Sequence, residues 1–173
     1  MDYLEFTRWV DSKESALVLP SDCAVLVPHT SYHIINSVLW TFIWVFHFTS
    51  DKRYVRIWEH HDKAAGLIGE SRRLHFVYHY GPLTKFDDVG NPDVDEMGVP
   101  RYKSTDPVDI RVDNICPGGR PHLHYGGPNP HYQQHQVDGL DLNVLDMFSF
   151  IAAIFKHREK AVPIEKVLKF RLT

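Results

Sequence analysis

The stretch Ser37-Val-Leu-Trp-Thr-Phe-Ile-Trp-Val-Phe-His-Phe48 decides the architecture. Aromatic rings stand at Trp40, Phe42, Trp44, Phe46 and Phe48, every second position. Successive side chains of a strand point to opposite faces, so this period puts all five rings on one side. Leu39, Thr41, Ile43, Val45 and His47 take the other side, which is also mainly apolar. A strand of this kind is central in its sheet and largely buried on both faces.

Its neighbours follow by the same logic. Thr49-Ser-Asp-Lys-Arg53 is a turn signal, and Tyr54-Val-Arg-Ile-Trp-Glu-His60 alternates as a partner strand, predicting a hairpin. Leu74–Tyr80 alternates again, with Phe76, Tyr78 and Tyr80 opposed to His75, Val77 and His79. Val108–Asp113 sets apolar 108, 110 and 112 against charged 109, 111 and 113. The turn Cys116-Pro-Gly-Gly119 then predicts His122–Tyr125 as its hairpin partner. Upstream, Leu17–Leu19 and Ala24–Val27 read as two short strands punctuated by Pro20 and Pro28. Residues 81–106 are rich in Gly, Pro and Asp and read as a long, exposed acidic loop; 126–136 is a second loop.

The period then changes. Leu145, Phe148, Ala152 and Phe155 follow helical spacing, and so do Val144, Met147, Ile151 and Ile154. Two adjacent stripes make a wide apolar face, which predicts a helix lying against the sheet. Asp141 or Asn143 caps its start, and Lys156, His157, Arg158 and Lys160 complement the dipole at its end. After Pro163, residues 164–172 read as a short helix or a closing strand. Strands first and a helix last predict an α+β domain spanning 1–173, an antiparallel sheet with a C-terminal helix packed on one face.

With 173 residues and 43% apolar content the chain is long enough for a real core, which excludes disordered, collagen-like and coiled-coil classes. The formal net charge is −3. Residues 85–113 carry eight acids against four bases, and the remainder holds 14 acids and 15 bases. That balance argues against strong electrostatic steering to nucleic acid and leaves weak binding open. Cys23 and Cys116 do not make a disulfide framework, and there is no C-x-x-C knuckle. The first residues, MDYLEFTRWVDSKES, lack the basic start and apolar run of a signal peptide. The most apolar stretch, 34–48, is too short for a spanning helix. A cytoplasmic protein without a membrane partner is expected. No phosphate-binding glycine fingerprint and no serine elbow is present.

Twelve histidines are the one compositional hint of chemistry. The densest group lies between Arg111 and His135. If 122–125 is a strand, His122 and His124 share a face, and a hairpin with 108–113 brings Arg111 and Asp113 to that face in one of its registers. Two histidines with pKa values near neutrality serve as acid and base in RNA cleavage by the 2′-hydroxyl. Arg111 and Arg120 match phosphate oxygens, Asp113 orients an imidazole, and Tyr125 or Tyr78 stacks a base, with Asn114 beside them. No cofactor is needed for that chemistry. A second reading is a zinc or other transition-metal site, H-x-H-x6-H-x3-H, formed by His122, His124, His131 and His135 and completed by Asp113 or Asp138. Arginine favours the phosphate reading, since it has no role as a zinc ligand. A third reading is a non-enzymatic interaction module whose acidic loop meets a basic partner. Elsewhere, His75 and His79 read as cross-strand pairs on a solvated face, His60-His61 as a solvated strand edge, and Cys23 as a core thiol. His29, His33, His47 and His157 are scattered.

Leu74–Ala153, somewhat under half of the chain, resembles the TumE-type family of small prokaryotic toxin–antitoxin proteins. The residues that carry the likeness are Tyr78-His79-Tyr80, Arg111-Val112-Asp113-Asn114, and Pro121-His122-Leu123-His124 before the C-terminal helix. Val112 stands where the family has an aromatic. The resemblance implies a toxin with inferred nucleolytic activity, a functional cluster of Arg111, Asp113, His122 and His124, and a helix-turn-helix antitoxin as partner. RNA as substrate and an oligomeric assembly are compatible with it.

Overall fold

A computed structural model describes residues 3–33, 39–62, 72–86, 88, 91–96, 100–101, 108–115, 120–126, 134–135, 137–142 and 145–172. Helix α1 (Tyr3–Glu14) is followed by seven strands: β1 (Cys23–His33), β2 (Leu39–Phe48), β3 (Arg53–Asp62), β4 (Arg72–Pro82), β5 (Ile110–Asp113), β6 (His122–Tyr125) and β7 (Gln134–His135). They form one sheet in chain order, every neighbouring pair antiparallel. Strand β8 (Val137–Asp138), helices α2 (Met147–Lys160) and α3 (Ile164–Leu168), and β9 (Arg171–Leu172) complete the chain, β8 pairing with β9. The fold is therefore α+β, with the C-terminal helix on the sheet.

The aromatic stripe of β2 does what its period requires. Trp40, Phe42, Trp44, Phe46 and Phe48 are each at most 1% exposed, and Phe6 of α1 and Phe148 and Phe155 of α2 pack on them. Phe155 of α2 meets Phe46 edge-on at 5.4 Å, and Phe150 meets Tyr78 at 5.6 Å. On the other face, Thr41, Ile43 and Val45 are buried as well. Leu83 and Phe86, just past β4, fold back there onto Ile43, Val45 and Tyr54. Burying two apolar faces supplies most of the driving force, and antiparallel pairing satisfies the backbone groups taken from water.

Several expectations need correction. Leu17–Leu19 is not a strand; Val18 and Leu19 are exposed. Ala24–Val27 lies within the longer β1. Helix α1 replaces what was read only as a non-leader sequence: Phe6 and Val10, four apart, are buried on one side. The cap of α2 is Asp146, not Asp141 or Asn143; its carboxylate accepts from the N–H groups of Phe148 and Ser149. Residues 164–172 are both a short helix and a closing strand. The segment read as an exposed acidic loop begins inside β4 and contains buried Leu83 and Pro100; of its described acids, Asp88, Asp95 and Glu96 are exposed and Asp93 is half-buried.

Candidate functional site

Strand alternation builds the site. Arg111 and Asp113 on β5, and His122 and His124 on β6, point to the sheet face opposite the helices, since Ile110, Val112 and Leu123 between them enter the helix-side core. The register pairs Arg111 with His124 and Asp113 with His122. This is the register that brings all four residues together.

The Asp113 carboxylate is the hub, and its side chain is 1% exposed. Arg111 Nε lies 2.6 Å from its Oδ2. His122 Nε2 lies 3.3 Å from Oδ1, and His124 Nε2 3.6 Å from Oδ2. Oδ1 also accepts from the Ile115 N–H at 3.0 Å. The two imidazoles meet edge-on with centroids 4.8 Å apart. His122 Nδ1 donates to the Arg120 carbonyl at 3.1 Å, which leaves Nε2 turned toward Asp113. That end of the ring is the one that exchanges a proton or ligates an ion. One ligand atom each from Asp113, His122 and His124 lies within 4.8 Å of the others.

A transverse row extends the site. Arg56 of β3 pairs with His79 of β4, His79 with Arg111, and Arg111 with His124. His79 is 2% exposed, and its ring stacks on Tyr54 at 4.9 Å. Burial, and then the charges of Arg56 and Arg111, hold this imidazole well below the usual histidine range, so it is neutral. The solvated-face expectation for His79 is thereby overturned, because the chain after β4 covers this face; His75 is exposed as expected.

Other candidates lie elsewhere. Tyr125 points to the helix side, its hydroxyl donating to Glu165 at 2.7 Å and its ring edge-on to Phe170. Burial, the Glu165 hydrogen bond and nearby charge push its phenol up to about 12. Tyr78 is buried on that side too, which leaves its ring no open face for a base. Asn114 ties β5 to β4: its Oδ1 accepts from the Phe76 N–H and its Nδ2 donates to the Leu74 carbonyl, both at 2.8 Å. Arg120 is exposed, and its carbonyl is what serves the cluster. His135 lies in β7 opposite Leu123, and Asp138 lies in the separate β8–β9 pair. His131 and Cys116 lie outside the described residues. Cys23 packs half-buried against the core, and burial raises its thiol to about 12, which makes it unreactive.

Sequence reasoning missed Arg56 as a neighbour of the site, and it missed a second polar group. His61, expected at a solvated edge, is 5% exposed and stacks flat on Trp40 at 4.0 Å. Its Nε2 meets Glu59 Oε2 at 2.7 Å, and the Tyr78 hydroxyl and Arg73 complete the carboxylate's surroundings. The signal was Glu59 and His61 two apart on the face that carries Val55 and Ile57.

Comparison with protein-family models, with curated proteins and with solved structures finds no match for this chain. No helix among the described residues is long and apolar enough to cross a membrane.

Proposed function

We propose that the chain is a toxin-like, metal-independent ribonuclease in which His122 and His124 are the acid–base pair. The observation that carries this is the convergence of Arg111, His122 and His124 on the buried Asp113 carboxylate. One imidazole takes the proton of the ribose 2′-hydroxyl as its oxygen attacks phosphorus. The other gives a proton to the departing 5′-oxygen, leaving a 2′,3′-cyclic phosphate and a 5′-hydroxyl. Asp113 holds both rings in orientation and steadies whichever is charged. Arg111 stands beside the pair and offsets charge building on the phosphate, with Arg120 at the rim. The resemblance to TumE-type toxins agrees with this reading and adds a helix-turn-helix antitoxin as partner.

The test is cleavage of a synthetic RNA by purified protein in the presence of chelator. His122→Ala or His124→Ala lowers the rate about 10²–10⁴-fold while circular dichroism is unchanged. Folded variants that cut as fast as the parent end the proposal. Metal binding by Asp113, His122 and His124 is a second reading. One observation favours it: His122 Nδ1 is tied to a backbone carbonyl, the arrangement by which metal-bound imidazoles are oriented. Stoichiometric transition metal in a tag-free preparation, with activity lost in chelator, selects this reading instead.

A further inference from the structure

At one end of the sheet β3 begins at Arg53, β4 ends just past Tyr80, β5 begins after Asp109, and β6 ends at Tyr125. The Asp109 N–H donates to the Tyr80 carbonyl at 3.0 Å and the Gly126 N–H to the Asp109 carbonyl at 3.2 Å, which holds these strand ends together. The corner between α2 and α3 docks on them through Tyr125–Glu165 at 2.7 Å and Arg158–Tyr80 at 3.0 Å. Inside that corner the His157 ring donates from Nδ1 to the Val162 carbonyl at 2.6 Å. Between the corner and the sheet end lies an open cleft of about 620 Å³. Small-molecule clefts measure roughly 300–1,000 Å³. Ala161, Pro163 and Ile164 give this one an apolar side, and Asp109, Tyr125 and Glu165 a polar one. Tyr125, Gly126 and Glu165 are half-buried, so solvent reaches the polar side.

The charges in and around this cleft do not balance. Arg158 meets Asp22 at 2.7 Å and Asp51 at 2.8 Å. Arg53 meets Asp109 at 2.6 Å and Asp51 at 3.2 Å. Each guanidinium is thus engaged by two carboxylates, Asp51 being shared. Glu165 adds a fourth carboxylate, and its side-chain partner is the Tyr125 hydroxyl. That hydrogen bond first, and then its own backbone N–H, hold the Glu165 carboxyl below the ordinary glutamate value, so it is ionised at neutral pH. Lys166 beside it is exposed and does not line the cleft. Four carboxylates against two guanidiniums leave a local excess of negative charge, which repels an anion and attracts a cation. Glu165 and Asp109 both bear on the Tyr125 hydroxyl: burial first, then the Glu165 hydrogen bond and charge, then the Asp109 charge, push that phenol up to about 12. A carboxylate offers about four lone-pair sites, so each of the two has room for a further donor.

We propose that this cleft binds a small organic cation, a primary amine with an apolar or aromatic body, whose ammonium meets Glu165 and Asp109 and whose body lies on Pro163 and Ile164. An ammonium carries three donors, enough for both carboxylates and the Tyr125 oxygen. The site is separate from the Asp113 cluster and stands whether or not that cluster cleaves RNA. Phenethylamine is the probe, with phenethyl alcohol as its neutral counterpart and hydrocinnamate as its anionic one. Each is titrated into the full chain at low salt and followed by amide ¹H–¹⁵N shifts. Phenethylamine binds in the millimolar range and moves the amides of Gly126, Ala161 and Glu165. The alcohol, which lacks the charge-assisted hydrogen bonds, binds about tenfold more weakly, and hydrocinnamate more weakly still. Glu165→Gln, which keeps an acceptor for Tyr125, weakens phenethylamine about tenfold and leaves the alcohol unchanged. No binding of phenethylamine, an amine no tighter than the alcohol, or an amine affinity unchanged in Glu165→Gln overturns the proposal. If Glu165→Gln does not fold, the parent decides: amide shifts centred away from Gly126, Ala161 and Glu165, or amine binding not weakened in about 1 M salt, also overturn it.

Discussion

Asp113→Asn is the perturbation that most directly probes the cluster. The amide has nearly the carboxylate's shape and still accepts from the Ile115 N–H. What it removes is the negative charge facing Arg111 at 2.6 Å and the two imidazoles at 3.3 and 3.6 Å. Removing one partner of a buried pair costs about 3–5 kcal/mol, because the remaining charge stays desolvated. The Arg111 and His122 side chains are each 12% exposed, so some water reaches them and the lower end of that range applies, about 3 kcal/mol. For a chain of this size, about 2–4 °C of melting temperature accompanies each kcal/mol, giving a fall of about 6–12 °C. Urea denaturation and calorimetry read the two numbers. The double variant with Arg111→Met removes the stranded guanidinium and recovers at least half of the loss, a coupling of about 1.5 kcal/mol or more in the mutant cycle. Asp113→Asn within about 0.5 kcal/mol of the parent, or a double variant no more stable than the single, refutes the assignment of Asp113 as the charge hub.

Three further outcomes follow from other groups. His79 titrates well below its ordinary value of 6.5 in the fold, so the unfolded chain takes up its proton first and stability drops as pH falls below 6.5. His79→Phe, which keeps a ring against Tyr54, loses up to about 1.4 kcal/mol less per pH unit in that window, as measured by urea titration at each pH. Glu59 is held below its ordinary value of 4.5, so its contribution is complete above that pH and lost as pH falls through the lower folded value. Glu59→Gln therefore starts less stable at neutral pH and shows a shallower acid-unfolding curve below 4.5; an equal slope in both proteins contradicts this. Asp146→Ala removes the α2 cap, which accepts from two backbone N–H groups and the Ser149 hydroxyl, and costs about 1 kcal/mol by chemical denaturation.

The sheet was legible because its strongest signals were local. A ring at every second position of β2 admits one conformation, and Thr49–Arg53 sets the hairpin that follows. Helix α2 was legible for the same reason, since two apolar stripes at helical spacing leave no alternative. Helix α1 was not read, although Phe6, Trp9 and Val10 carry the spacing, because most of its turns are polar and its stability comes from contact with Trp40, Phe42 and Phe148. Leu17–Leu19 failed in the opposite way: apolar residues with no partner strand to pair with stay exposed at Val18. The cap moved from Asp141 or Asn143 to Asp146 because the last apolar residue before the helix, Leu145, belongs to the core without being helical.

The site depends on a quantity that local pattern does not contain. The sequence placed His122 with His124, and Arg111 with Asp113, on one face each; a shift of one residue in pairing would have sent the two pairs to opposite sides of the sheet. Burial of Ile110, Val112 and Leu123 against the helices removes that freedom, since a one-residue slip would expose them or bury the charges there. The same constraint explains why His79 was misjudged. Alternation gave its face, but whether that face meets water depends on where Leu83 and Phe86 go after β4. A neutral histidine between Arg56 and Arg111 follows from that cover. With the His79 imidazole uncharged, the anion that faces Arg111 at 2.6 Å is Asp113, and the two histidines on β6 share it. One buried carboxylate thus serves three basic side chains, an arrangement that follows from register and cover rather than from local pattern.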